Sequence, residues 1–130
     1  MLWIALGGAL GSVARFLISL WTQPVRPGLP LSNFPVGTLI VNVTGCLAIG
    51  VLHAVFYGSP HGDERPELRA FLMIGVLGGY TTFSSFGRET LNMIGNQQLG
   101  AAAVYVVLSN VLGLGAVWAG MRMAGYIPGE

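Results

Sequence analysis

The chain of 130 residues is 53% hydrophobic and only 8% charged, and it contains no lysine. Water-soluble domains carry about 25% charged residues, so this composition excludes an ordinary soluble enzyme or binding module and favours an integral membrane protein. A net charge of +1 offers no basic field for nucleic acid, and the single cysteine, Cys46, excludes an internal disulfide and a multi-cysteine metal site.

The first two predicted spans flank a proline-rich loop. The apolar run at residues 2–22 contains one charge, Arg15, and lacks the basic start of a cleaved signal peptide, so we expect a retained first helix. Four of the seven prolines fall between residues 24 and 35, which marks a loop. The second predicted helix, residues 35–57, contains no Arg, Lys, Asp or Glu and is the clearest membrane span.

Two further spans are predicted in the second half of the chain. A hydrophilic connection at residues 58–67 precedes the third span, residues 69–95, and the fourth covers residues 99–122. Inside the third span the stretch from Gly78 to Thr81 predicts a break, because glycine and β-branched residues are poor helix formers. We therefore predict an all-α membrane protein with four transmembrane helices in a single domain over residues 1–130, with no room for a soluble catalytic domain.

Arginines specify the orientation of the chain only weakly. With a cytoplasmic N-terminus, the inner side receives Arg65, Arg69 and Arg122, and the outer side receives Arg26 and Arg88. A difference of about one arginine is a poor positive-inside signal. Two interpretations stay open: insertion in both orientations, which permits an antiparallel homodimer, or one topology set by these few arginines.

Polar side chains share common faces of two predicted helices. Thr38 and Asn42 are four residues apart on the second helix, and Tyr105 and Ser109 have the same spacing on the fourth. These groups donate hydrogen bonds, and no Asp, Glu, Lys or Arg is expected on the same helix faces. Donors without a fixed counter-charge suit a small anion that binds and then leaves. The alternative is that these groups only bond between helices, as they commonly do in membrane bundles.

Two phenylalanines and two charges extend the pattern. Phe83 and Phe86 on the third helix lie about 60° apart around its axis. The edge of a phenylalanine ring is positive and its face negative, so a pair of edges can replace water around an anion; taken singly, both rings are interpreted as packing residues. Charges within a span are costly, so Arg15 and Glu89 are predicted to have structural or gating roles. Two partners stay open for Arg15: Glu89 and the facing subunit.

Three blocks of the sequence resemble the CrcB/Fluc fluoride channels, small four-helix membrane proteins of bacteria. The blocks are GGALGSVARF at residues 7–16, GTLIVNVTG at residues 37–45 and GVLGGYTTFSSF at residues 75–86. Their order and spacing fit over essentially the whole chain, and the third block is the most specific. Two departures are Gly113, where many relatives have a small hydroxyl residue, and Ser85, which replaces a common threonine.

The resemblance implies an antiparallel, dual-topology homodimer in the bacterial inner membrane that exports cytoplasmic fluoride passively and so reduces fluoride toxicity. The implied pathway residues are Thr38, Asn42, Phe83, Phe86, Tyr105 and Ser109. It also implies a structural Na⁺ at the dimer interface, held by the backbone carbonyls of Gly78 and Thr81, because hard oxygen ligands suit a hard cation. Arg15 matches the family's basic residue in the first helix. Glu89 follows the phenylalanine motif at a position that also fits the family.

Two other functions compete with that of a fluoride channel. A small multidrug-resistance type exporter also has four helices and dual topology, but this proton-coupled carrier relies on an acidic residue in its first helix, where this chain has Arg15. An assembly or chaperone subunit would use the buried polar groups only for packing. Under that second alternative, Asn42→Ala and Phe83→Ile would change stability and leave ion movement intact.

Overall fold

The computed structural model describes residues 1–22, 34–58 and 65–126, and within these ranges the regular structure is entirely helical. Four helical stretches are long and apolar enough to cross a membrane: Leu2–Trp21, Val36–Tyr57, Pro66–Gly95 and Leu99–Met123. The predicted all-α membrane protein with four spans is therefore confirmed. Most of the proline-rich loop and of the hydrophilic connection lies outside the described residues.

We number the helices in chain order. Helix α1 is Leu2–Trp21, α2 is Val36–Tyr57 and α6 is Leu99–Met123. The third span consists of α3 (Pro66–Arg69), a π-helical segment (Ala70–Val76), α4 (Leu77–Tyr80) and α5 (Phe83–Gly95). Proline at the first helical position suits the start of this span, because its missing N–H has no partner there in any helix.

The break in the third span lies at Thr81 and Thr82. Both residues are extended, with ψ angles of 157° and 115°. Thr82 then caps α5, because its Oγ1 accepts a hydrogen bond from the Ser85 N–H at 3.2 Å. The predicted break is confirmed with a correction to its position: Gly78 lies inside α4, and the two threonines are the residues that leave the helix.

Glycines let two pairs of helices approach closely. Helix α1 lies against the first half of the third span, where a Cβ on Gly11 would collide with the carbonyl of Val76. Helix α2 has its most extensive contact with α6, where a Cβ on Gly50 would collide with the carbonyl of Val117. Small residues commonly mediate such contacts in membranes, because lipid removes the hydrophobic driving force between helices. Together, the two helices that flank the break contact both pairs: α4 contacts α1 and α2, and α5 contacts α2 and α6.

Candidate ion pathway

A cleft of about 370 Å³ opens at the break in the third span. Six residues singled out in the sequence line it: Asn42, Gly78, Thr81, Phe83, Phe86 and Ser109. They come from α2, from both halves of the third span and from α6. The structure thus brings together most of the predicted anion residues and both predicted cation residues in one cleft.

Asn42 holds the broken backbone of the third span. Its Oδ1 accepts a hydrogen bond from the Thr82 N–H at 2.9 Å, and its Nδ2 donates to the Thr82 carbonyl at 3.1 Å. In a continued helix the Thr82 amide would donate to the carbonyl of Gly78, four residues earlier. Asn42 therefore satisfies a buried backbone pair at membrane depth and also releases the Gly78 carbonyl from its helical donor.

Glu89 links α2 to α6 through its carboxylate. Thr38 Oγ1 donates to Glu89 Oε1 at 2.8 Å, and the hydroxyl of Tyr105, which is fully buried, donates to Oε2 at 2.9 Å. The expectation that no charged residue lies with the polar side chains of these helix faces is therefore wrong. Glu89 follows Phe86 by three residues, so the two lie on one face of α5, and this spacing was the signal in the sequence that could have revealed it.

Arg15 lies at the break rather than beside Glu89. Its Nη1 is 3.5 Å from the carbonyl of Thr81, a long hydrogen bond between α1 and the third span. The suggested pair between Arg15 and Glu89 is not formed within the described residues, where the carboxylate oxygens of Glu89 accept from two hydroxyls on α2 and α6. Their predicted structural or gating roles stay predictions.

Aromatic rings form a continuous row beside the cleft. The ring centroids of Phe83 and Phe86 are 5.5 Å apart, those of Phe86 and Tyr105 are 5.2 Å apart, and Phe34 adds a ring 5.5 Å from Tyr105. Phe83 is 84% exposed in the single chain, whereas Phe86 is half-buried. Phe34 was not predicted as part of the site, because it precedes the second span and only the folded chain places it against Tyr105.

Ser109 lines the cleft, and its hydroxyl is buried. Among the described residues it is the buried side-chain polar group that lacks a hydrogen-bond partner. Leaving such a group unsatisfied costs about 1–3 kcal/mol, and a serine in a helix usually avoids the cost by bonding to a carbonyl of the preceding turn. The Ser109 hydroxyl therefore has its proton free to donate to a ligand.

Comparisons with known proteins assign the chain to a family. The family model described as CrcB-like protein, Camphor Resistance (CrcB), matches residues 2–121. A fluoride-specific ion channel FluC from Acidobacterium capsulatum is 44% identical over 120 residues, which cover 92% of this chain and 91% of the relative. Proteins of the same name from Rhodospirillum centenum and Methylobacillus flagellatus are 45% and 42% identical over 121 and 125 residues, each covering 92% of this chain and 90% of the relative. The chain belongs to the CrcB family.

Proposed function

We propose that the protein is a fluoride-selective channel that lets cytoplasmic fluoride leave passively across the bacterial inner membrane. The observation that carries this proposal is the unpartnered Ser109 hydroxyl in a cleft shared with the Phe83 and Phe86 rings. A hydrogen-bond donor and positive ring edges together replace the hydration of a small anion. Relatives that are 42–45% identical and named as fluoride-specific channels support the same ion.

Passive movement is sufficient for export. Hydrogen fluoride is a weak neutral acid that crosses membranes and ionises in the more alkaline cytoplasm, where the anion is trapped until the membrane potential drives it out through a selective route. The chain has no GxxxxGK[ST] loop for nucleotide-driven transport. The proton-coupled exporter is disfavoured, because α1 carries Arg15 where such a carrier needs a carboxylate. The protein is thus a channel and not an enzyme.

The proposed assembly is an antiparallel homodimer. In the most apolar stretch of each span only 11–28% of the residues are buried within the single chain, so much apolar surface is left for lipid or a second copy. Phe83, at 84% exposure, stands at the rim of the cleft and would be covered by the partner. The weak arginine bias permits the inverted insertion that such a dimer requires.

The same proposal includes a structural Na⁺ at the dimer interface, held by the carbonyls of Gly78 and Thr81. The residues fit the ion: the Gly78 carbonyl has lost its helical donor to Asn42, and no described atom outside the adjoining backbone lies within 4 Å of where a Gly78 Cβ would stand. The Thr81 carbonyl accepts a long hydrogen bond from Arg15, and a carbonyl oxygen has a second lone pair. Bound there, Na⁺ would supply positive charge that joins the two subunits.

Flux from liposomes tests the function. Purified protein reconstituted in vesicles loaded with potassium fluoride should release fluoride rapidly when valinomycin is added, while vesicles loaded with potassium chloride should stay at the protein-free rate. Chloride efflux comparable to fluoride efflux would overturn the selectivity, and the absence of fluoride efflux would overturn the channel and favour an assembly subunit.

Two further measurements test the assembly and the cation. Accessibility tags at Glu130 should report both sides of the membrane, whereas labelling from one side only would contradict the antiparallel dimer. Replacing Na⁺ by a bulky organic cation should impair fluoride efflux or dimer integrity. Insensitivity of both to that replacement would argue against the site at Gly78 and Thr81.

A further inference from the structure

A second cavity lies at the end of the bundle where α1 and the third span begin. Its volume is about 440 Å³, and it is lined by Trp3, Arg65, Glu67, Leu68 and Phe71. Ligand sites in proteins typically measure ~300–1,000 Å³, so this cavity is large enough to hold a molecule. It shares no lining residue with the ion cleft, and nothing in ion conduction requires it.

The cavity lies at the boundary between hydrocarbon and the polar surface of the membrane. Trp3 stands in the first turn of a membrane-spanning helix, and Arg65 and Glu67 flank the first residue of another. The Trp3 and Phe71 rings meet edge to face with centroids 6.5 Å apart, and Trp3 is 52% exposed. Tryptophan is enriched at this depth because its ring is amphipathic. The cavity therefore has an apolar wall and a charged rim at headgroup level.

The rim carries two opposite charges. Arg65 and Glu67 are both exposed, and within the described ranges neither side chain has a hydrogen bond or an ion pair. By contrast, the guanidinium of Arg122 at the same end of the bundle lies 5.7 Å from the ring centroid of Trp118. Among the described residues, a cation and an anion are thus both free to bind one ligand that carries the complementary pair.

We propose that this cavity binds the headgroup of a zwitterionic aminophospholipid. The Arg65 guanidinium donates charge-assisted hydrogen bonds to the phosphate, and the Glu67 carboxylate accepts from the primary ammonium. The glycerol and the upper acyl chain lie against Leu68 and Phe71. An anionic glycerol headgroup gives Arg65 a phosphate but offers Glu67 no cation, and a choline headgroup has a cation without N–H donors. The inference does not depend on which ion the protein conducts.

Lipid retention by the purified full chain tests the site. The protein is incubated in detergent with equal amounts of phosphatidylethanolamine, phosphatidylcholine and phosphatidylglycerol, and bound lipid is counted by native mass spectrometry. We expect phosphatidylethanolamine to be retained about tenfold over the other two, which corresponds to one charge-assisted hydrogen bond. Arg65→Ala should lower retention of all three lipids, whereas Glu67→Gln should remove the discrimination between them. Arg122→Ala, the matched control, should retain the wild-type preference.

Several outcomes would overturn the proposal. Equal retention of the three lipids by the wild-type chain would reduce the cavity to an unspecific apolar groove. A preference for phosphatidylglycerol would assign it to anionic lipid, and an Arg122→Ala effect as large as that of Arg65→Ala would indicate unspecific charge attraction. In two separate competition experiments, free phosphoethanolamine or inorganic phosphate is added to the lipid-bound protein. Displacement of the lipid by either at equal concentration would assign the site to a soluble phosphate compound.

Discussion

The side chain of Asn42 offers a direct test of how the break in the third span is held. Asn42→Ala removes two hydrogen bonds between helices, of 2.9 and 3.1 Å, from the backbone of Thr82. Such bonds average ~0.6 kcal/mol in membrane proteins and reach ~1.7 kcal/mol, so the pair contributes about 1–3 kcal/mol. Because Thr82 is only 8% exposed, its amide and carbonyl find no water in exchange. We therefore expect the free energy of unfolding in detergent micelles to fall by about 2–3 kcal/mol.

Asn110→Ala is the matched control for this experiment. Asn110 also lines the cleft, but its Nδ2 donates to the Val106 carbonyl of its own helix at 2.7 Å. Its removal leaves the helical backbone bonds intact, so the expected change is below about 0.5 kcal/mol. Denaturant titration followed by the fluorescence of the three tryptophans measures both variants. If Asn42→Ala unfolds at the same denaturant concentration as Asn110→Ala, Asn42 does not hold the break.

Further substitutions separate stability from ion movement. Ser109→Ala removes a hydroxyl without a partner, so stability should stay within about 0.5 kcal/mol while fluoride efflux from liposomes falls severalfold. Phe83→Ile changes a largely exposed ring and should likewise lower efflux without lowering the unfolding midpoint of the subunit; normal efflux in either variant would favour a packing role. Gly50→Ala places a Cβ against a backbone carbonyl of α6 and should lower the free energy of unfolding by about 1–3 kcal/mol, whereas Gly115→Ala has open space and should change it little. Equal unfolding midpoints of the two variants would contradict the close contact at Gly50. Tyr105→Phe removes one donor from a carboxylate and should cost about 1.5–3 kcal/mol, and an unchanged midpoint would mean that the bond is not formed.

The spans were predictable because their signal is local. Charge-free runs of about 20 residues match the thickness of a bilayer, and prolines, glycines and charged residues mark where they end. The π-helical segment Ala70–Val76 was not predicted. It lies where Gly75 and Gly7 bring two helix backbones together. Its geometry therefore depends on a contact between distant parts of the chain, which a local sequence pattern cannot predict.

The helix faces that form the candidate site could be predicted from the sequence, but the hydrogen bonds between those helices could not. Four-residue spacing placed Asn42 and Ser109 on helix faces that the structure brings to one cleft. Spacing within a helix cannot show which hydroxyls are already engaged by another helix. Thr38 and Tyr105 looked like Ser109 in the sequence, yet both donate to Glu89, whereas Ser109 has no partner among the described residues.

This difference has a consequence for the proposed fluoride route. A hydroxyl carries one proton, so it cannot donate to a carboxylate and to fluoride at the same time. Ser109 can receive the anion directly, whereas Thr38 and Tyr105 can do so only after releasing an oxygen of Glu89. Fluoride and a carboxylate also repel each other, and in a low-dielectric site that repulsion is strong. In the proposed route, the hydroxyls of Thr38 and Tyr105 therefore exchange Glu89 for fluoride as their acceptor while the anion passes. Glu89 sets the free-energy cost of that exchange.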